Sequence, residues 1–139
     1  MTKDYYGTKR ITAWPSKSPD GEDGYAVKYA DGYTSWSPKA VFEAAYQSID
    51  AMSFGHALQA LKDGHRVARA GWNGKGMFLY LVAGSTFIVN RPPLLGIYSE
   101  GTQIDYRPHI DMKDAEGKCV PWLASQADML ADDWVLVEA

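Results

Sequence analysis

Three stretches of the chain concentrate residue types that can hold an anion, a sugar or a base. Gly71-Trp72-Asn73-Gly74-Lys75-Gly76 places three glycines and a lysine within six residues. Glycines let backbone N–H groups approach an anion closely, and Lys75 adds charge. The spacing is not that of a Walker A loop, since no Ser or Thr follows the lysine. Nor is it a dinucleotide fingerprint, because a helical pattern precedes it and a strand pattern follows. The simpler reading is a connecting loop, but Trp72 within it needs a core, a partner or a ligand to pack on.

Tyr106-Arg107-Pro108-His109-Ile110-Asp111 carries a cation, an imidazole and a carboxylate at alternating positions. If the segment is one strand, Arg107, His109 and Asp111 share a face. Such a face suits a phosphate, a ribose or plain solvent. His109 and Asp111 could also act as an acid–base pair, although no nucleophile or metal cluster accompanies them. In the third stretch, Trp122 could stack on a base, and Ser125 and Asp128 could bond ribose hydroxyls. Against this, Trp122 could equally be core and Asp128 solvated. Cys119 has no catalytic partner nearby and reads as a small core residue.

The elements that must position these residues form two groups. Ile11–Trp14 reads as a strand ended by Pro15. Tyr25–Tyr29 and Tyr33–Trp36 flank Asp31-Gly32, a hairpin signal. Ser37-Pro38 then opens a helix running to about Gln47. Residues 1–50 therefore form a small strand-hairpin-helix module. In residues 51–139, Ser53 caps a helix with Phe54, Ala57, Leu58 and Leu61 on one face, ended by Gly64. Strands are expected at 65–69, 78–82, 86–90 and 134–137, with a longer hairpin of 104–112 and 118–122 around the loop 114–117, and one or two helical turns at 125–130. Phe78–Val82 is a continuous apolar run and reads as the central strand. The fold class is α+β, an antiparallel sheet with two main helices.

Composition narrows the function. The chain has 139 residues, 46% hydrophobic and 22% charged, which fits a globular protein and excludes a disordered one. No apolar run approaches the roughly 20 residues of a membrane span, and the first residues lack a signal-peptide core. A soluble intracellular protein without membrane partners is expected. One cysteine and three histidines make a structural zinc site unsupported. A net charge of −3 argues against binding duplex nucleic acid. Residues 51–100 nevertheless carry five Lys/Arg against two acids, and residues 101–139 three against eight. Opposite charge in neighbouring segments suits pairing within the fold or between subunits, or a local basic pocket. Aromatics make up 13% of the chain, with five Trp and nine Tyr, which favours an interface or a ligand wall.

Four ordered blocks carry a family resemblance: Met52–Lys62, Gly71–Leu81, Tyr106–Met112 and Val120–Trp134. Together they resemble the second Thoeris anti-defence family of phage proteins. The resemblance covers about residues 51–138. It implies a non-enzymatic sponge in the cytoplasm of the infected bacterial host. Such a sponge sequesters glycocyclic ADP-ribose, the cyclic nucleotide signal of Thoeris immunity, and for some members cyclic dinucleotides of CBASS. It also implies a homotetramer with ligand pockets between subunits, and no cofactor. Residues 5–47 resemble a small module that recurs on phage proteins. On this basis Trp72, Phe78 and Trp122 are the stacking candidates. Arg107, Lys75 and the loop through Gly76 are the phosphate candidates, and Asn73, His109, Ser125 and Asp128 the ribose or base-edge candidates. The competing classes are a hydrolase of the same nucleotides, using His109 and Asp111, and a structural phage protein whose aromatics serve subunit contacts.

Overall fold

The computed structural model describes residues 1–138 and divides the chain into two compact units, Met1–Ser48 and Ile49–Ala139. The first contains β1 (Thr12–Lys17), β2 (Asp23–Lys28), β3 (Thr34–Pro38) and α1 (Lys39–Ala45). Its sheet has the order β1-β2-β3, antiparallel throughout. Asp31-Gly32 makes the β2–β3 turn, with the Tyr33 N–H donating to Asp31 Oδ1 at 2.9 Å. Val27 is fully buried. Tyr25 stacks on Phe42 of α1 at 4.1 Å, and Phe42 on Tyr46 at 5.0 Å. Gly24 is required by a close approach, since a Cβ there would run into the Trp36 ring and the Ser37 carbonyl.

Two details depart from the sequence pattern. β1 continues past Pro15 to Lys17, because an edge strand tolerates a residue that cannot donate to a ladder. Pro38 stands at the N-cap of α1 rather than its first helical position, and Ser37 is still in β3.

The second unit contains α2 (Phe54–Lys62), β4 (Arg66–Arg69), β5 (Phe78–Val82), β6 (Ser85–Ile88), β7 (Gln103–Tyr106), β8 (His109–Lys113), β9 (Cys119–Pro121), α3 (Gln126–Met129) and β10 (Trp134–Val137). Five strands form one sheet in the order β10-β4-β5-β8-β9, with β5 at its centre. β6 and β7 pair separately as a two-stranded ribbon inserted between β5 and β8. The architecture is α+β, with strands outnumbering helices. No helix among the described residues is long and apolar enough to cross a membrane.

The core follows from the two periodicities. Ala57 and Leu61, four apart on α2, meet Val67, Leu79, Trp134 and Met52 in one buried cluster. Ile110, Met112, Trp122 and Leu136 pack against it. Val67 pairs with Leu79 and Leu79 with Met112, so this row faces α2. The alternate residues of the same strands therefore occupy the opposite face of the sheet: Arg66 and Ala68 on β4, Phe78, Tyr80 and Val82 on β5, and His109, Asp111 and Lys113 on β8.

Cys119 corrects the sequence reading. It is exposed rather than core, because β9 is the edge strand and Cys119 pairs with Lys113 on the face away from α2. The segment 106–112 is also not one strand. β7 ends at Tyr106 and β8 begins at His109, with Arg107 and Pro108 between them. Proline fixes its own φ and restricts the residue before it, which accounts for the break.

Candidate functional site

Two polar constellations lie on the two sides of the five-stranded sheet. On the α2 side, Arg69 at the end of β4 gathers two carboxylates. Its Nε donates to Asp133 Oδ1 at 2.8 Å, and its Nη1 to Asp128 Oδ1 at 2.9 Å. Asp128 Oδ1 also accepts from Trp72 Nε1 at 3.4 Å. The backbone carbonyl of Asp128 accepts from Trp134 Nε1 at 2.9 Å. Ser125 caps α3 by accepting the Asp128 N–H at 3.0 Å. Burial pushes the Asp128 carboxyl up, but its bonds to Arg69, Ser125 and Trp72 outweigh that and hold it below the ordinary value. Asp133 is held low first by Arg69, with the Gly71 N–H assisting.

This network fixes the entrance of the glycine loop. The Gly71 N–H donates to Asp133 Oδ2 at 2.8 Å. The next residue, Trp72, turns its ring edge-on to the buried Trp134 at 5.5 Å. At the loop exit, Gly76 adopts a left-handed φ of +72°, and its carbonyl accepts from Lys113 Nζ at 3.0 Å. A side chain at Gly76 would be strained by that φ, although its Cβ would meet the ammonium only at ordinary contact distance. Asn73 and Lys75 stay exposed between these fixed ends.

On the opposite face, Phe78 sits between two cations. The Arg66 guanidinium lies 4.9 Å from its ring centroid and Lys113 Nζ 5.2 Å. Tyr80 is next along β5, 6.0 Å away ring to ring. Its hydroxyl pKa is pushed up to about 12, first by the neighbouring Cys119 side chain, then by burial, with the charge of Asp111 adding to the effect. His109 Nε2 lies 3.2 Å from Asp111 Oδ1. Asp111 Oδ1 makes no aligned hydrogen bond, so that contact is a close approach rather than a directed bond. His109 Nδ1 lies 3.5 Å from the Arg107 carbonyl oxygen, so both ring nitrogens face acceptors.

The ten residues singled out from the sequence thus fall into distinct places. Trp72, Ser125 and Asp128 belong to the Arg69 network. Trp122 is half-buried, 5.9 Å from Phe54 and 6.0 Å from Trp134. Asn73, Lys75 and Gly76 lie on the loop. Phe78 and His109 share the face away from α2, whereas Arg107 is exposed at the β7–β8 break. Sequence reasoning passed over Arg66, Arg69, Tyr80 and Lys113. Lys113 extends the alternation His109, Asp111, Lys113. Arg66 and Arg69 lie within a strand already read as half-buried, so the signal for these three was present. Among the described residues, no group of three His, Cys, Asp or Glu could hold a metal ion.

Comparison with known proteins gives two matches. Residues 52–137 match the model of a family described as the Thoeris anti-defense 2-like domain. A relative named Thoeris anti-defense 2, from Bacillus phage SP01, is 41% identical over 86 residues, which is 62% of this chain and 94% of the relative. The family match begins four residues beyond the end of the Met1–Ser48 unit.

Proposed function

Because this chain belongs to the Thoeris anti-defense 2-like family, a phage anti-defence family, we propose that its 49–139 unit binds a cyclic nucleotide immune signal and sequesters it without degrading it. The ligand class is glycocyclic ADP-ribose of Thoeris, with cyclic dinucleotides of CBASS as further ligands. The observation that carries this reading is the glycine loop held at both ends. Asp133 grips Gly71 and Lys113 grips Gly76, with Phe78 beside the exit. A loop held in advance presents backbone N–H groups, Asn73 and Lys75 without paying the full ordering entropy on binding. His109 supplies a polar group for ribose, and Arg107 a cation for phosphate.

Trp72, Ser125 and Asp128 act in this reading by placing the loop and α3. The protein works as a homotetramer with pockets between subunits. Exposed apolar side chains on and near the inserted ribbon, Ile88 and Ile97, support that assembly. Residues 1–50 form an accessory module. Titration calorimetry with glycocyclic ADP-ribose tests the proposal. Saturable binding is expected, and a flat isotherm at micromolar protein contradicts it.

A second reading draws on the 3.2 Å contact between His109 and Asp111. In it these residues form the acid–base pair of a hydrolase acting on the same nucleotides. Recovery of the ligand after binding separates the two readings.

A further inference from the structure

We infer that Arg66 and Lys113, flanking Phe78, form a receptor for a phosphate-bearing small molecule on the sheet face away from α2. Both side chains project to that face, because Val67 and Met112, their chain neighbours, belong to or pack against the α2 core. Each cation lies about 5 Å from the same ring centroid. The ring attracts each through its quadrupole, Arg66 reaching it from β4 on one side of β5 and Lys113 from β8 on the other. An ammonium has three donors, and the Gly76 carbonyl takes one of Lys113's. A guanidinium presents a planar fork that matches phosphate oxygens. The acid sharing this face on β8, Asp111, is already against His109. A dianion seated over the ring edge would be attracted by both cations. The left-handed Gly76 lets the loop approach the same ammonium through its carbonyl.

This deepens the sequestration reading by naming what holds the phosphates, and it rests on that reading only for the identity of the nucleotide. The test uses the full chain and two probes, inorganic pyrophosphate and glycocyclic ADP-ribose, followed by calorimetry. Arg66→Gln and Lys113→Gln should each weaken pyrophosphate binding about tenfold or more, and Arg66→Lys and Lys113→Arg should restore most of it. Lys118→Gln, which removes an exposed cation paired with Glu116, should change nothing. Circular dichroism on each variant confirms folding. Pyrophosphate binding that is absent in the wild type, or equal in wild type and both Gln variants, overturns the receptor. Nucleotide binding that survives both Gln variants unchanged overturns it too, while leaving sequestration standing. Charge-dependent pyrophosphate binding without nucleotide binding supports the receptor and removes sequestration instead.

Discussion

Arg69 and Asp133 lie 64 positions apart in the chain, yet Arg69 donates from Nε to Asp133 Oδ1 at 2.8 Å and from Nη2 to Oδ2 at 3.5 Å. Oδ2 of the same carboxylate takes the Gly71 N–H at 2.8 Å. One carboxylate therefore ties the end of β4, the entry to the glycine loop and the start of β10. Neither charge is fully buried, with 21% of the Arg69 side chain and 35% of the Asp133 side chain exposed. Solvent screens the pair and keeps its own contribution modest, but it orders a loop that carries the candidate ligand contacts.

Arg69→Met leaves two partly buried carboxylates without their shared donor. The expected cost is about 1–3 kcal/mol, the penalty for stranded partners of charged hydrogen bonds. Urea unfolding measures it. A midpoint equal to wild type would mean that the network is incidental to stability.

The same network sets an acid limit. Asp128 and Asp133 both titrate below the 3.8 of an ordinary aspartate. A depressed folded pKa means that the unfolded chain takes up protons first as the pH falls. Stability from this source is therefore complete above about pH 5 and is lost as pH drops through 3.8 toward the folded values. Urea midpoints should be level from about pH 5 to 7 and should fall below about pH 4. Asp133→Asn should be less stable at neutral pH and lose less on acidification. An acid response identical to wild type would remove the assignment.

Trp122→Ala should show two effects. Its ring packs on Phe54 and Trp134, so truncation should cost about 2–4 kcal/mol of stability, toward the lower part of the range for large aromatics because the ring is only half-buried. If it also stacks on a base, nucleotide affinity should fall by about 1–3 kcal/mol at a temperature where the variant is folded. Loss of stability with unchanged affinity would confine Trp122 to the core.

Arg107→Ala should leave the melting temperature within about 2–3 °C of wild type, since exposed substitutions rarely exceed about 0.5 kcal/mol. Nucleotide binding should weaken by about 1.5–3 kcal/mol if the guanidinium bonds a phosphate. Calorimetry with unchanged affinity would place Arg107 outside the site.

The parts of this fold that were legible in the sequence have short-range causes. α2 announced itself by Phe54, Ala57, Leu58 and Leu61 at helical spacing, and the β2–β3 hairpin by Asp31-Gly32. The central place of β5 followed from its unbroken apolar run. What was hidden depended on partners distant in the chain. Cys119 looked like a small core residue because no catalytic partner lies near it in the sequence, and only the strand order puts β9 at an edge. Arg69 looked like one more alternating charge until Asp128 and Asp133 were folded onto it. β7 was read as continuous with β8, because its partner β6 lies across an intervening segment and the Arg107-Pro108 break shows only in the fold. Phe78 was singled out from the sequence, but the cations around it come from β4 and β8, which only the sheet brings together.

The central claim is sequestration without turnover, and the most direct measurement is the fate of the bound nucleotide. Protein is incubated with glycocyclic ADP-ribose, freed of unbound ligand by filtration and heated to release what it holds. The released material is then resolved by chromatography. The account predicts that the intact cyclic molecule is recovered, in the same amount from wild type and, after correction for affinity, from His109→Ala. A linear or cleaved product that disappears in His109→Ala would contradict it and assign the His109–Asp111 pair to a hydrolase.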